Sequence, residues 1–204
     1  MRLLDLFCGR FGWSRAFAER GWGCVGVDLV EPPEIPAGCT FSQIDILKLT
    51  PEMILEIAPD FICASSPCEQ FSCFSMKMFQ PNPPYPSKGI ELFDHTRMLC
   101  ELSKVPYVME NVRGAEQFVG KSVSHCGSFH LWGNAVPPLL PQGITKSKWK
   151  ANAGTKRDGK PGNFAPELLW SRKERAAKFA TIPPELSACV ADYAERILEQ
   201  RATA

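Results

Sequence analysis

The chain has 204 residues, of which 45% are hydrophobic and 22% are charged, and its formal net charge is +1. We therefore expect one ordinary globular domain over residues 1–204, with no second domain required. No apolar stretch approaches the roughly 18 residues of a membrane span, so we expect no membrane partner.

The nine cysteines favour reduced thiols over disulfides or a metal site. Their number is odd, and no pair has the C-x-x-C spacing of a zinc knuckle or redox site. The apolar run at the N-terminus is short and turns acidic at Asp5, so it does not predict a signal peptide. These features favour a cytoplasmic protein.

The first predicted element is a strand over residues 2–7, which leads into the turn Cys8-Gly9-Arg10-Phe11-Gly12. A helix follows from Trp13 until Gly21, because apolar residues recur there at helical spacing. A second strand over residues 22–29 then places Asp28 at its carboxyl end, about 20 residues after the glycine turn.

This strand, turn, helix and strand predict a nucleoside-cofactor half-site. An acidic side chain such as Asp28 can accept both hydroxyls of a ribose, and glycines let the backbone approach a ligand closely. Phe11 stands at a usual glycine place. A long aromatic there suits a ligand without a pyrophosphate.

The next elements continue the alternation of strands and helices. Residues 41–46 predict a third short strand with Asp45 at its mouth, and residues 51–57 predict a helix. The apolar run from Asp60 to Ala64 predicts a fourth, buried strand. The order is typical of a doubly wound, mostly parallel α/β sheet.

Cys68 follows the fourth strand directly after Pro67, where the backbone leaves the sheet. Ligands and chemistry gather beyond the carboxyl ends of strands in open α/β folds, so Cys68 has the position that a nucleophile needs. The alternative is a small buried hydrophobic residue, which is the usual role of a free cysteine.

Residues 72–87 form a long proline-rich segment with several aromatic residues and methionines. A loop of this length inside a compact domain is usually a lid or a binding loop, and the alternative is a stiff surface flap. An amphipathic helix is predicted from Leu92 to Leu102. A fifth strand over residues 105–109 then brings Glu110 to the same edge as Cys68, either as a catalytic acid or as a capping or solvated one.

Several of these stretches together resemble the cytosine-5 methyltransferases. The resemblance covers about residues 2–130 and rests on Asp5-Leu6-Phe7-Cys8-Gly9 with Gly12, on Pro67-Cys68 with Phe71-Ser72, and on Glu110-Asn111-Val112. It implies a Rossmann-like α/β fold of the S-adenosylmethionine-dependent methyltransferase kind.

The resemblance also implies roles for individual residues. Cys68 is implied as the nucleophile and Glu110 as the acid that holds the target ring. The residues implied to bind S-adenosylmethionine are Phe7, Gly9, Gly12, Asp28 at the ribose, Asp45 at the adenine, and Pro67. The residues implied to bind the substrate are Ser72, Asn111 and Arg113.

The chemistry of cytosine explains these residue types. C5 is a poor nucleophile, so a thiolate must add at C6 before C5 can attack a methyl sulfonium. Glu110, bonded to N3 and the exocyclic amine, offsets the developing charge. Neither residue reaches a stacked base, so the cytosine must be flipped out of a duplex or presented single-stranded.

The chain departs from the family at several positions. Glu69 replaces a usual glutamine, and the family's arginines after the Glu-Asn-Val strand are missing, since no arginine occurs between Arg113 and Arg157. We expect a single strand over residues 122–132 in that place. The candidate substitutes for the arginines are His125, His130 and Arg113, and the alternative for each lone histidine, which is the more common one, is a structural role.

Two segments compete for the place of the family's closing Gly-Asn motif. One is Gly133–Pro138, and the other is Ile182–Leu186 with the helix that follows it. The helix is predicted over residues 183–199, with Leu186, Val190, Tyr193 and Ile197 packing on the sheet.

The family's separate target-recognition domain has no room in this chain. Residues 143–178 instead carry ten lysines and arginines against three acidic residues. Clustered cations around Trp149 and Lys150 predict contact with a phosphate backbone, and the alternative is a solvated flexible loop.

The sequence therefore predicts an enzyme that transfers a methyl group from S-adenosylmethionine to cytosine C5 in DNA. RNA is the alternative substrate, since tRNA cytosine methylation uses the same fold and motifs. A regulatory module that binds the cofactor without turnover is the alternative from another class. A partner subunit is an alternative source of sequence recognition.

Overall fold

The computed structural model describes residues 1–72, 86–144 and 181–203, which are organised around a seven-stranded sheet. The predicted lid falls mainly on residues 73–85, and most of the basic segment falls on residues 145–178. Both lie outside the described residues, together with Trp149 and Lys150.

The strands and helices alternate along the first two thirds of the chain, as the sequence predicts. The strands are β1 (Arg2–Leu6), β2 (Gly23–Asp28), β3 (Cys39–Gln43), β4 (Phe61–Ser65), β5 (Tyr107–Asn111), β6 (Ser124–Cys126) and β7 (Phe129–Trp132). The helices are α1 (Ser14–Ala18), α2 (Pro51–Ile57), α3 (Glu69–Ser72), α4 (Ser87–Ser103), α5 (Glu116–Val119) and α6 (Pro184–Ala202). Short 3-10 turns cover Ile46–Lys48 and Arg113–Ala115.

The strand order is β3-β2-β1-β4-β5-β7-β6. Strands β1 to β5 are all parallel, whereas β7 pairs antiparallel with β5 and β6 pairs antiparallel with β7. The sheet order reverses between β1 and β4, which is the switch point where open α/β sheets bind ligands. The topology confirms the predicted doubly wound, mostly parallel α/β fold.

Each face of the sheet carries its own apolar core. One core joins Leu3, Phe61 and Val108 to residues of α1 and α6, and the other joins Leu4, Ile62 and Met109 to residues of α2 and α4. Side chains alternate between faces along a strand, so fully buried strands need apolar residues on both sides. This requirement explains the apolar runs of β1, β4 and β5.

The predicted carboxyl ends of β3 and β5 are wrong. Strand β3 ends at Gln43, before Asp45, whose carboxylate instead accepts a hydrogen bond of 3.1 Å from the amide of Leu47 and caps the 3-10 turn. Strand β5 continues through Glu110 and Asn111, which the sequence placed beyond it. The ladder with β4 extends to Glu110 and so holds it inside the sheet.

The single strand predicted over residues 122–132 is a hairpin of β6 and β7. The chain turns at Gly127, which has a positive φ of 61°, a conformation that glycine adopts without steric cost. A glycine inside a predicted strand is a signal of a break, and the prediction of a single strand did not use it.

The helices agree more closely with the sequence. Helix α2 has the predicted bounds, because Thr50 accepts a cap hydrogen bond from the amide of Met53 and Pro51 occupies the first turn. Helix α4 is longer than predicted. Leu186 and Val190 of α6 are fully buried in the core, as predicted, and Tyr193 and Ile197 pack against it. Of the helices described, none is long and apolar enough to cross a membrane.

Candidate active site

Cys68 lies in the turn that joins β4 to α3. The turn Ser66-Pro67-Cys68 begins at the carboxyl end of β4, between β1 on one side and β5 on the other. The Cys68 side chain is half-buried, Pro67 is exposed, and Ser66 is buried. The thiol therefore lies beyond the carboxyl end of β4, as the sequence predicts.

Glu110 and Asn111 lie next to this turn on β5. Glu110 is paired in register with Ser65 at the end of β4 and is only 7% exposed. The amide nitrogen of Asn111 donates to the carbonyl oxygen of Ser66 and to its hydroxyl, both at 3.0 Å. The Asn111 side-chain oxygen accepts from the amide of Val112 at 2.8 Å. These bonds fix the Cys68 turn against the strand that carries Glu110.

A close backbone approach joins the segments that follow the two strands. A Cβ atom at Gly114 would lie 2.4 Å from the carbonyl oxygen of Phe71, so only glycine fits there without movement. Helix α3 thereby packs on the 3-10 turn after β5. Ser72, the last residue of α3, is half-buried at this junction.

Most of the other described cysteines are poor candidates for the nucleophile. Burial raises the pKa of the thiols of Cys8, Cys63, Cys100, Cys126 and Cys189. A raised pKa keeps a thiol protonated, and the thiolate is the reactive form.

Cys24 and Cys39 are paired in register on β2 and β3. A hydrogen bond between the two thiols raises the pKa of Cys24 and lowers that of Cys39. Both lie at the amino ends of their strands, whereas Cys68 follows the carboxyl end of β4.

The predicted nucleoside half-site is assembled at the ends of β1 and β2. One carboxylate oxygen of Asp28 accepts from the amide of Gly9 at 2.9 Å, and the other accepts from the amide of Val30 at 3.2 Å. Asp28 is half-buried and Gly9 is exposed. The carboxylate is therefore held in one orientation at the mouth of the turn.

The two phenylalanines of the glycine turn differ in exposure. Both have a positive φ of 58°, which is uncommon for a bulky residue, but Phe7 is half-buried whereas Phe11 is fully buried. A Cβ at Gly26 would lie 2.3 Å from the Phe11 ring. The interpretation of Phe11 as an aromatic that suits the ligand is wrong, because its ring fills the space that Gly26 leaves in the core.

The structure separates the two candidates for the closing motif. A Cβ at Gly12 would lie 3.0 Å from the backbone nitrogen of Ile182, so the Ile182 segment lies against the glycine turn. The side-chain oxygen of Asn134 instead accepts from the amide of Tyr107 at 2.9 Å, at the amino end of β5. Of the two segments, only the Ile182 segment lies at the carboxyl ends of the parallel strands, where Asp28 and Cys68 also lie.

A buried acid lies behind the glycine turn. One oxygen of Asp5 accepts from the amide and hydroxyl of Ser14 at 3.3 and 2.6 Å, while Oδ1 is buried with no hydrogen-bond partner among the described residues. Burial raises the pKa of Asp5 to about 7. Trp13, next to Ser14, donates from its indole to the hydroxyl of Ser65 at 2.9 Å and so connects the glycine turn to the end of β4.

Of the candidate substitutes for the missing arginines, His130 has the structural role that is usual for a lone histidine. His130 is buried, its Nδ1 lies 3.1 Å from the hydroxyl of Ser122 and 3.6 Å from Glu116, and burial lowers its pKa. His125 is exposed and stacks on His130 at 5.0 Å between ring centroids. A neutral, hydrogen-bonded His130 has a structural role, whereas Arg113 is exposed.

Two residues of this site were not predicted from the sequence. Ser66 and Gly114 are small residues beside the Pro-Cys and Glu-Asn-Val stretches, and small residues next to such stretches are the only sequence signal of the close packing seen here.

No group of three or more His, Cys, Asp or Glu side chains within residues 1–72, 86–144 and 181–203 could hold a metal ion.

Comparisons with known proteins found likenesses in structure alone. No family model matches the chain, and no curated protein sequence matches it. A mutant of Spodoptera frugiperda DNMT2 matches 57% of this chain with 24% identity and a TM-score of 0.38, and the S. pombe Dnmt2 methyltransferase matches 59% with 17% identity and a TM-score of 0.42. The chain spans 37% of the length of each of these two.

A third solved structure is the 1,6-didemethyltoxoflavin-N1-methyltransferase of Burkholderia thailandensis with bound 1,6-didemethyltoxoflavin and S-adenosylhomocysteine. It matches 72% of this chain and 56% of its own length, with 14% identity and a TM-score of 0.31. The fold of this chain is a Rossmann-like α/β fold, as its strand order shows.

Proposed function

We propose that the chain is an S-adenosylmethionine-dependent methyltransferase that methylates C5 of cytosine in DNA through a covalent adduct with Cys68. The observation that carries this proposal is the pair of hydrogen bonds from Asn111 to Ser66. They hold the Pro67-Cys68 turn beside the strand of Glu110, so the two residue types that the chemistry needs stand at one edge of the sheet.

The half-site at β1 and β2 fits the ribose of S-adenosylmethionine. Each Asp28 oxygen accepts one backbone hydrogen bond, so each keeps a lone pair for a ribose hydroxyl. Gly9 leaves the turn open beside it. Phe7 and Asp45 are both half-buried and are our proposed contacts to the adenine, and Gly12 and Pro67 are proposed to lie beside the cofactor.

The bound cofactor supplies a methyl group on a positively charged sulfur. Cys68 forms a bond from its thiolate sulfur to C6 of the cytosine, which turns C5 into a carbon nucleophile. Glu110 holds N3 and the exocyclic amine and offsets the charge that develops there. After C5 gains the methyl group and loses its proton, the bond between Cys68 and C6 breaks and the thiolate is restored.

The substrate must present an unstacked base to Cys68. A half-buried thiol beside a buried carboxyl cannot reach C6 within a duplex, so the target nucleotide has to be flipped or single-stranded. Ser72, in the helix after Cys68, and Arg113, in the 3-10 turn after β5, are proposed contacts to this nucleotide, and Asn111 acts by holding the turn. Trp149 and Lys150 remain proposed contacts to the nucleic acid outside the described residues.

The test is transfer of a labelled methyl group from S-adenosylmethionine to DNA and to tRNA, side by side. We expect labelled 5-methylcytosine in DNA, none with Cys68→Ser, and wild-type transfer with Cys189→Ser, a half-buried cysteine on α6. Transfer to tRNA alone would mean that the substrate is RNA and would leave the proposed chemistry unchanged. Cofactor binding without transfer to either would identify a regulatory module.

A further inference from the structure

Two exposed arginines flank the Cys68 turn. Arg10 lies in the glycine turn after β1, and Arg113 lies two residues after β5. Strand β4, which leads to Cys68, lies between β1 and β5. Neighbouring strands are about 4.8 Å apart, so the two arginines follow strands about 10 Å apart, with the nucleophile between them.

Within residues 1–72, 86–144 and 181–203, neither guanidinium group is used by the fold. The side chains of Arg10 and Arg113 have no hydrogen bond or ion pair with another described residue, and only the backbone carbonyl of Arg113 accepts a bond, from the amide of Glu116. Arg20 and Arg97, in contrast, are anchored by Asp192 and by the carbonyl oxygen of Val119, at 2.6 Å each. Two exposed cations at one functional edge are therefore available to an external anion.

The backbone fixes the positions from which both side chains extend. Around Arg10, the amide of Gly9 donates to Asp28 at 2.9 Å and the amide of Phe11 donates to the carbonyl of Cys8 at 2.6 Å. Arg113 begins a 3-10 turn that is held by the close approach of Gly114 to Phe71. A fixed backbone reduces the entropy lost when a ligand binds.

We propose that Arg10 and Arg113 clamp the phosphodiester backbone on the two sides of the nucleotide presented to Cys68. This inference rests on the proposed function and names the groups that act in place of the missing arginines. A flipped nucleotide carries one phosphate on each side, and a guanidinium binds a phosphate through two parallel hydrogen bonds. The pair contacts the backbone alone and carries no sequence preference.

The salt dependence of DNA binding tests the clamp. Affinity of the full chain for a short duplex of random sequence is measured over a range of salt concentrations for Arg10→Gln, Arg113→Gln and the double variant. Each phosphate contact contributes about 0.9 to the slope of log affinity against log salt concentration. We expect each single variant to lower the slope by about that amount and the double variant to lower it by about twice as much.

Arg201→Gln is the matched control. Arg201 is also exposed, but it lies in the last turn of α6. That helix begins near Gly12 and extends for 19 residues, so Arg201 is about 26 Å from its start, at 1.5 Å per residue. The salt dependence of DNA binding by Arg201→Gln should therefore have the same slope as that of the wild type.

The outcomes separate the clamp from the proposed function. If the wild type methylates DNA while both single variants keep its salt slope, the clamp is wrong and the methyltransferase stands. If the slopes fall as expected but labelled methyl groups are never transferred, the clamp stands and the proposed reaction is wrong. Wild-type protein without salt-dependent DNA binding contradicts both.

Discussion

Asn111 donates two hydrogen bonds to Ser66, one to its carbonyl oxygen and one to its hydroxyl, each at 3.0 Å. Both residues are buried, and they belong to neighbouring parallel strands or their ends. The bonds convert two separate stretches of sequence into one site, because Cys68 follows Ser66 and Glu110 precedes Asn111.

Replacing Asn111 by alanine should separate these two stretches. The change leaves the buried hydroxyl of Ser66 without its donor, at a cost of about 1 to 3 kcal/mol in the free energy of unfolding. We expect methyl transfer to fall at least tenfold while cofactor affinity stays at the wild-type level. Single-turnover kinetics measures the rate of methyl transfer, and calorimetry measures the affinity for the cofactor.

Asn134→Ala is the control for that variant. Asn134 bonds the amino end of the same strand through Tyr107, so its loss should lower stability and leave the rate of methyl transfer unchanged. Equal loss of activity in both variants would mean that Asn111 acts only through the stability of β5.

Gly114→Ala should displace α3. The added methyl group would lie 2.4 Å from the carbonyl oxygen of Phe71, so the helix that follows Cys68 must move. We expect a lower rate of methyl transfer with little change in cofactor affinity. Gly23→Ala is the control, because a Cβ there meets nothing within 4 Å. Wild-type kinetics for Gly114→Ala would show that the position of α3 does not matter.

Asp28→Ala should weaken the binding of S-adenosylmethionine. A hydrogen bond to a charged group contributes about 1.5 to 3 kcal/mol, and the ribose would lose a carboxylate acceptor. Calorimetry of the full chain measures the change. Asp60→Ala, which alters a carboxylate bonded to Arg2 at the opposite edge of the sheet, should bind as the wild type does. Unchanged affinity in Asp28→Ala would place the cofactor elsewhere.

The buried carboxyl of Asp5 should make stability depend on pH. Its pKa is raised from 3.8 to about 7 by burial, so the folded state keeps a proton that the unfolded state releases between these values. The stabilisation is complete below pH 3.8 and is lost as the pH rises towards 7. At about 1.4 kcal/mol per pKa unit, the loss is on the order of 4 kcal/mol.

Urea unfolding of the wild type and of Asp5→Asn over this pH range checks the effect. The asparagine cannot titrate, and its oxygen can still accept from Ser14. We expect the fall in unfolding free energy between pH 4 and pH 7 to be much smaller in the variant. Parallel curves for the two proteins would show that Asp5 ionises normally.

Much of the fold follows from short-range patterns in the sequence. Strands β1 and β4 were predicted within one or two residues, and α2 was predicted at its bounds, because apolar runs and a proline after Thr50 are local signals. The apolar core on each face of the sheet follows from the parallel α/β class. These features need no knowledge of particular tertiary contacts.

The parts that sequence reasoning missed depend on contacts between distant residues. The hairpin of β6 and β7 depends on pairing with β5, and the buried ring of Phe11 depends on the space at Gly26. The sequence favoured a structural role for a lone histidine, but the partners of His130, Ser122 and Glu116, could not be identified from it. None of these partners adjoins the residue that it affects in the sequence.

The most direct test of the account is a covalent trap. DNA of random sequence in which 5-fluorocytosine replaces cytosine is incubated with the full chain and S-adenosylmethionine. The fluorine on C5 cannot leave as a proton does, so the bond between Cys68 and C6 should persist. We predict a protein–DNA complex that resists denaturant, requires the cofactor, persists with Cys189→Ser and is absent with Cys68→Ser. A complex that forms equally with Cys68→Ser, or no complex with the wild type, would contradict the account.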